Sequence, residues 1–233
     1  MNKGLTDEEK FKVIRPILGY KKLDHNMPIV RRVSEEQLDF EKMVPMGIQN
    51  LSTKYNNENK LVLTFNYDRI LKRMWRDPFK YILKLQTAMA VATPDFSVYP
   101  NMNPIEIEHN VYKNRWLGNL WQHYNIMTLP TMTWGDEYTY DICFRGVEKN
   151  SIVVISTLGC EDHEEVFLNG FNEMKKRINP PLIVVFGKMI EGMTGRFINI
   201  QYEEAFNKNK KTNNYKQLEL FHEPVIFEVK DVI

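Results

Sequence analysis

LVLTFNYDRILKRMW, residues 61–75, changes its period halfway along. Its first five residues are a compact run of aliphatic, β-branched and aromatic side chains, the composition of a buried strand. From Asp68 onward, apolar Ile70, Leu71, Met74 and Trp75 face away from Arg69, Lys72, Arg73 and Arg76, the 3.6-residue period of an amphipathic helix. A strand that runs directly into a helix is half of a βαβ unit. Downstream the pattern recurs. Pro78 opens a second helix through Tyr81, Leu85 and Met89 to about Ala92, and residues 95–98 (DFSV) follow Pro94 as a short strand. Pro104 opens a helix to about Tyr124, and residues 126–129 (IMTL) form the next strand. Residues 138–144 (YTYDICF) lean towards helix. Residues 151–155 (SIVVI) are a strong strand, followed by a helix from the acidic residues 161–165 (EDHEE) to near Ile178. Strands at 182–186 (LIVVF) and 197–201 (FINIQ) complete the series.

Strands beginning near Leu61, Asp95, Ile126, Ser151 and Leu182 stand one strand-helix unit apart. The fold class is therefore α/β, with a mostly parallel sheet built from repeated βα units. An irregular β/α barrel and an open doubly wound sheet both satisfy the spacing. The core domain is expected over residues 44–201. A mainly helical N-terminal extension over 1–43 precedes it, with Thr6, Ser34 and Asp39 as helix caps. Residues 202–233 are expected to form a lysine-rich loop (207–214, NKNKKTNN) and an edge strand (225–229, VIFEV).

The 233 residues are enough to bury a substantial core, and 43% hydrophobic with 26% charged residues is a globular balance that excludes general disorder. Thirty-one basic against thirty acidic residues leave a net charge of +1, so only a local patch can attract nucleic acid or membrane. Two cysteines, Cys143 and Cys160, are too few for a disulfide framework. No signal-like leader and no apolar run of about 20 residues is found. Reduced thiols and a cytoplasmic location are the expectation.

Parallel α/β folds gather their sites at the carboxyl ends of strands. That rule selects Asp68, then Asp95 and Ser97, then Thr131 and Trp134, then Ser156, Thr157 and Gly159, and finally Gly187 and Lys188. Asp68 and Asp95 can act as paired carboxylates for acid/base work or metal binding if their strands are neighbours. Equally, Asp68 can cap its own helix and Asp95 can shape the turn after Pro94. The STLG turn suits an anion held by backbone N–H groups, opposed by the carboxylates that follow. Cys160 and His163 have a C-x-x-H spacing without a second ligand pair, so no zinc site is expected. H-E-x-x-H, G-x-S-x-G, Walker A and G-x-G-x-x-G are all missing, which counts against the common zinc proteases, α/β-hydrolases, P-loop NTPases and dinucleotide enzymes. Six Lys or Arg against one acid between Arg69 and Lys84 make a basic stripe, which suits either a phosphate backbone or the solvated side of a helix. Trp116, Trp121 and Tyr124 suit a stacking surface, but their helical spacing fits core packing better.

Several phrases within residues 66–188 carry a resemblance: NYDRILKRMWRDPFKYILKL, TPDFSVYPNM, HNVYKNRWLGNLWQHYNIMTLPTMTWGDEYTYDICFRGV, SIVVISTLG and FLNGFNEMKKRINPPLIVVFGK. Together they resemble the domain of unknown function 4417 family. Where that family usually carries two adjacent aspartates after the first strand, this sequence has Asn66, Tyr67 and Asp68, one carboxylate fewer. The resemblance implies a setting in phages, prophages or mobile elements of low-GC bacteria, and it leaves reaction and cofactor unspecified. The positions it carries over are Asp68, Asp95, Ser97, Asn110, Arg115, Gln122, Trp134, Ser156 and Gly159.

Two functional expectations follow. In the first, the chain binds or acts on a nucleotide or nucleic acid: Asp68 and Asp95 are acid/base or metal-binding groups, Arg115 and Lys188 hold phosphate, and Trp134 stacks on a base. In the second, it is a non-catalytic interaction protein that captures a host or defence factor through an exposed surface.

Overall fold

The computed structural model describes residues 6–206. The lysine-rich loop and the edge strand at 225–229 lie outside the described residues. Helix α1 (Asp7–Ile14) opens on a reciprocal cap, in which the Thr6 and Glu9 side chains each accept from the other's backbone N–H. A small antiparallel pair follows, β1 (Leu23–Asp24) and β2 (Met27–Pro28). Then comes the parallel series: β3 (Val44–Gly47), β4 (Lys60–Leu63), α2 (Asp68–Arg76), α3 (Ile82–Leu85), β5 (Ala90–Ala92), α4 (Pro104–His123) and β6 (Thr128–Leu129). It continues with α5 (Tyr140–Cys143), β7 (Val153–Ser156), α6 (Glu164–Ile178), β8 (Ile183–Phe186), β9 (Phe197–Ile200) and α7 (Tyr202–Phe206).

β3 to β6 form one parallel sheet and β7 to β9 another, each in sequential order. A parallel bridge from Thr131 to Val154 joins the two between β6 and β7. A doubly wound sheet reverses its order at a switch point; this series does not reverse. Helices α2 to α6 flank one face, whereas Ala205 of α7 joins the opposite, inner side. Alternate strand residues such as Leu61, Leu63, Ala92, Val154, Val184 and Ile198 meet in one inner apolar cluster. Val62 and Val91 instead pack outward with Leu71, Trp116 and Leu120, while Val153, Val185 and Phe197 pack with Phe171 and Met174 of α6. The sheet is also curled. Phe65 and Phe186, just after β4 and at the end of β8, stack with ring centroids 4.9 Å apart and planes 7° apart. Four strand spacings in a flat sheet would separate them by roughly 19 Å. Among the described residues no ladder joins β9 back to β3; α7 lies against β3 instead.

The structure departs from the sequence expectations in several places. Residues 90–92 are a fully buried strand rather than the end of a helix, because Leu61 and Val62 on one side and Thr128 and Leu129 on the other pair with them. The helix expected from Pro78 is shorter, a 3-10 turn at Pro78–Tyr81 followed by α3. Residues 95–98 are the loop after β5, not a strand. The described part of the first 43 residues has only α1 and the 3-10 turn Glu35–Gln37 as helix. Asp39 accepts from the Lys42 N–H within a turn rather than capping a helix.

Much of this N-terminal stretch is pinned to α4. Asn119 donates to Tyr20 O and Ile29 O, both at 3.0 Å, and accepts from Gly19 N at 3.1 Å. Trp116 Nε1 donates to Arg15 O at 2.9 Å. Covered by this chain on one side and by the sheet on the other, α4 buries both Trp116 and Trp121, at 1% and 0% exposure, which makes them core and not a stacking surface.

Candidate functional site

All strands of the curled sheet point the same way, so the loops after β4 to β8 converge above the Phe65 and Phe186 rings. Asp68 is the first residue of α2. Its carboxylate reaches the loop after the neighbouring strand, where Oδ1 accepts from Ser97 N at 3.1 Å and Ser97 Oγ at 3.0 Å. The helix N-cap position belongs to Tyr67, whose side chain makes no capping bond. Asn110 of α4 fixes Ser97 in turn, donating to its carbonyl at 2.7 Å.

Asp95 stands in the same loop, two residues before Ser97. The Thr133 hydroxyl donates to its Oδ1 from the loop after β6. Burial pushes the Asp95 carboxyl up to about 6; the Thr133 hydrogen bond opposes this, and the negative charge of Asp68 adds to it. Some of its surface still meets solvent at the mouth of the crevice. Asp95 also acts on Cys160, a half-buried free thiol that burial raises first and the carboxylate second. The turn after β7 therefore borders the carboxylates.

Beneath them, three threonines tie the strand ends together. Thr64 Oγ1 donates to Ala92 O and Thr93 O at 3.0 and 2.8 Å, and Thr131 Oγ1 donates to Thr93 O at 2.6 Å. Thr93 Oγ1 accepts from Thr131 N at 2.7 Å and donates to Asn114 Oδ1 at 2.9 Å. A layer this well bonded holds the carboxylates on rigid backbone. Asp68, Asp95 and Ser97 thus meet, with Asn110 behind them.

Ser156 ends β7, bonding Phe186 O through its hydroxyl at 3.2 Å and accepting from Leu158 N at 3.2 Å. Thr157 follows and packs against Gly187, where φ is +113° and an added Cβ would stand 2.4 Å from the Thr157 hydroxyl oxygen. Only glycine fits that approach. Lys188 is exposed after β8, and Gly159 adopts φ +76° with open space where a Cβ would be.

Three expected residues lie apart from the crevice surface. Arg115 is 2% exposed, and its five N–H donors point to Arg145 O, Asn114 Oδ1, Thr131 O, Met132 Sδ and Cys143 O. Burial lowers this guanidinium to about 10. Gln122 is at the far end of α4, where its amide makes two bonds with the Arg31 backbone at 2.8 and 2.9 Å. Trp134 lies against Gly170 of α6, donates to Phe167 O at 3.2 Å and contacts the Phe144 and Phe167 rings. Thr133 was not singled out from the sequence, although it lies between Thr131 and Trp134, which were.

Among the described residues no group of three or more His, Cys, Asp or Glu could hold a metal ion. No described helix is long and apolar enough to cross a membrane. A concavity of about 650 Å³ opens at the other end of the sheet, between residues 35–41 and the starts of β8 and β9. There Arg196 clamps Glu35 with two bonds of 2.7 and 3.0 Å. Such ends of parallel folds serve stability.

The family model described as "Domain of unknown function (DUF4417)" matches residues 25–203. "Gene 1 protein" of Mycobacterium phage L5 is 34% identical over 118 residues, 49% of this chain and 52% of that protein. "Gene 1 protein" of Mycobacterium phage D29 is 32% identical over 125 residues, 52% of this chain and 46% of that protein. The chain thus spans about half the length of these relatives. No solved structure matches it.

Proposed function

Starting from the fact that the chain belongs to the domain of unknown function 4417 family, with relatives among phage proteins, we propose that it binds or acts on a nucleotide or nucleic acid in the crevice at the strand ends. The observation that carries this is the pairing of Asp68 and Asp95. Two carboxylates from neighbouring strand ends stand in unlike surroundings: Ser97 gives Asp68 two donors, while Asp95 is desolvated and titrates near 6. A carboxyl with a pKa close to the operating pH takes up and releases a proton readily, the property of a general acid or base.

In this assignment Asp95 exchanges the proton and Asp68 raises its proton affinity and positions Ser97. Ser97 and Ser156 offer hydroxyls to the ligand and Lys188 offers a charge to phosphate, while Thr157 is buried against Gly187 and holds the turn. Asn110 holds Ser97 in place. Arg115, Gln122 and Trp134 support the surrounding backbone rather than touching the ligand.

Native mass spectrometry of protein purified from cells, followed by titration with nucleotides and short oligonucleotides, tests the proposal. A phosphorylated ligand is expected, with at least tenfold weaker binding or loss of turnover in Asp68→Asn and Asp95→Asn. Folded variants that bind and turn over every ligand as the wild type does would overturn it. A stoichiometric protein complex indifferent to both substitutions would favour the alternative, capture of a host or defence factor.

A further inference from the structure

Helix α2 starts at the crevice and leaves it with Leu71 and Met74 in the core and Arg69, Lys72, Arg73 and Arg76 on its open side. These four cations follow the i, i+3, i+4, i+7 spacing of one helical face. On its own such a stripe is an ordinary solvated surface. Two further observations set it apart.

Helix α4 runs alongside and adds His109 and Lys113, one turn apart, with Trp75 between the helices, to enclose a groove of about 490 Å³. No acid lines it. Among the described residues, none of Arg69, Lys72, Arg73, Arg76 and Lys113 makes an ion pair. The second observation is Lys113 itself. It is 4% exposed and lines the groove, and its ammonium has no hydrogen-bond acceptor among the described residues; its close neighbour is the Phe96 ring, 4.5 Å from Nζ to centroid. Desolvation lowers its pKa, Lys72 acts in the same direction, and Asp68 and Glu106 oppose them. An anion arriving in the groove would give this largely desolvated ammonium an acceptor that the described residues do not supply.

We propose that the groove between α2 and α4 holds the sugar-phosphate backbone of a single-stranded nucleic acid, with Lys113 as its deepest phosphate contact and the strand leading towards Asp68. Charge complementarity identifies the class. Arg69 to Arg76 extend for about 10 Å along the helix, a distance over which one strand advances about three nucleotides. A lone phosphate would answer only one or two of these cations. Trp75 is engaged edge-on by His109, Tyr112 and Trp116, with the Arg15 guanidinium 4.0 Å from its ring centroid, so it is not free to stack on a base. Recognition is therefore of backbone, without sequence preference. The choice of a single strand over a duplex rests on the preceding proposal, since only an unpaired nucleotide can enter the crevice.

Fluorescence anisotropy of the full chain with a labelled 12-nucleotide oligothymidylate tests the groove, using a duplex of that length and inorganic phosphate as competitors. The Lys72→Gln/Arg73→Gln double variant changes only exposed side chains and should bind at least tenfold more weakly. Its slope of log affinity against log salt should fall by about 1.4, at about 0.7 per phosphate contact on a single strand. Lys113→Met should weaken binding at least fivefold with an unchanged unfolding midpoint, and Lys54→Gln, away from the groove, should bind as wild type does. Neither duplex nor phosphate at equal concentration should displace the strand. Wild-type protein that binds no oligonucleotide, or a double variant that binds normally, would overturn the groove. Asp68→Asn and Asp95→Asn act on the crevice and should leave the salt slope of strand binding as in the wild type, whatever affinity they cost. If they abolish strand binding while the double variant does not, the crevice alone holds the strand: the groove proposal fails and the crevice proposal stands.

Discussion

Helix α4 carries two buried cations two residues apart, and they are treated in opposite ways. Arg115 faces the interior and has a partner for each of its five donors. Lys113 faces α2 and has none among the described residues, only an aromatic ring. Burial of a charge therefore does not by itself mark a binding site; a cation that lines a groove and has no acceptor among the described residues is the more informative sign, because an incoming anion can supply one. The two carboxylates repeat the contrast. Asp68 receives two donors from Ser97, and Asp95 receives one hydroxyl and a repelling neighbour.

The contrast has consequences that can be ranked. Arg115→Met removes five donors and strands several backbone carbonyls, so unfolding in urea should show a loss of about 3 kcal/mol. A loss below about 1 kcal/mol would mean those bonds are dispensable and the contrast with Lys113 is empty.

Asp95 comes next. With its folded carboxyl at about 6 against an ordinary 3.8, the native state holds this proton more tightly than the unfolded chain. Its contribution to stability is full below about pH 4 and fades as pH rises through 6, by at most about 3 kcal/mol. Asp95→Asn should flatten that part of the pH profile of the urea midpoint and raise stability above pH 6. An identical profile in the variant would place the titration elsewhere.

Ser97→Ala removes one of the two donors to Asp68 and should cost about 1 kcal/mol. The smallest effect belongs to Lys113→Met, within about 0.5 kcal/mol of wild type, because no hydrogen bond is lost and the lost attraction of the Phe96 ring is offset as a desolvated ammonium becomes apolar. A penalty as large as that of Arg115→Met would show that Lys113 is structural after all.

The strand-to-helix passage at residues 61–75 was readable because period and composition agree there. The same holds at β7, β8 and α6. At residues 90–92 they conflict: Ala-Val-Ala has no strong strand character, and pairing on both edges overrides its local preference. The sequence places Asp95 and Ser97 within an expected strand at 95–98, whereas they stand in the loop after the strand at 90–92, so the carboxyl-end rule reaches them from a misplaced strand. Arg115 looked like a phosphate ligand because polarity in a helix is visible in sequence, whereas the convergence of acceptors from residues 114, 131, 132, 143 and 145 is not. Lys113 was missed for the complementary reason. Its lack of an acceptor exists only once α4 lies beside α2, some forty residues earlier in the chain.

A crystal structure of the protein with the 12-nucleotide strand bears most directly on the proposal that this molecule binds nucleic acid. The expected result is a phosphate against Lys113, backbone along Arg69 to Arg76, and an unpaired nucleotide reaching Asp68 and Asp95. A strand seated on another surface, with both the groove and the crevice unoccupied, would contradict it.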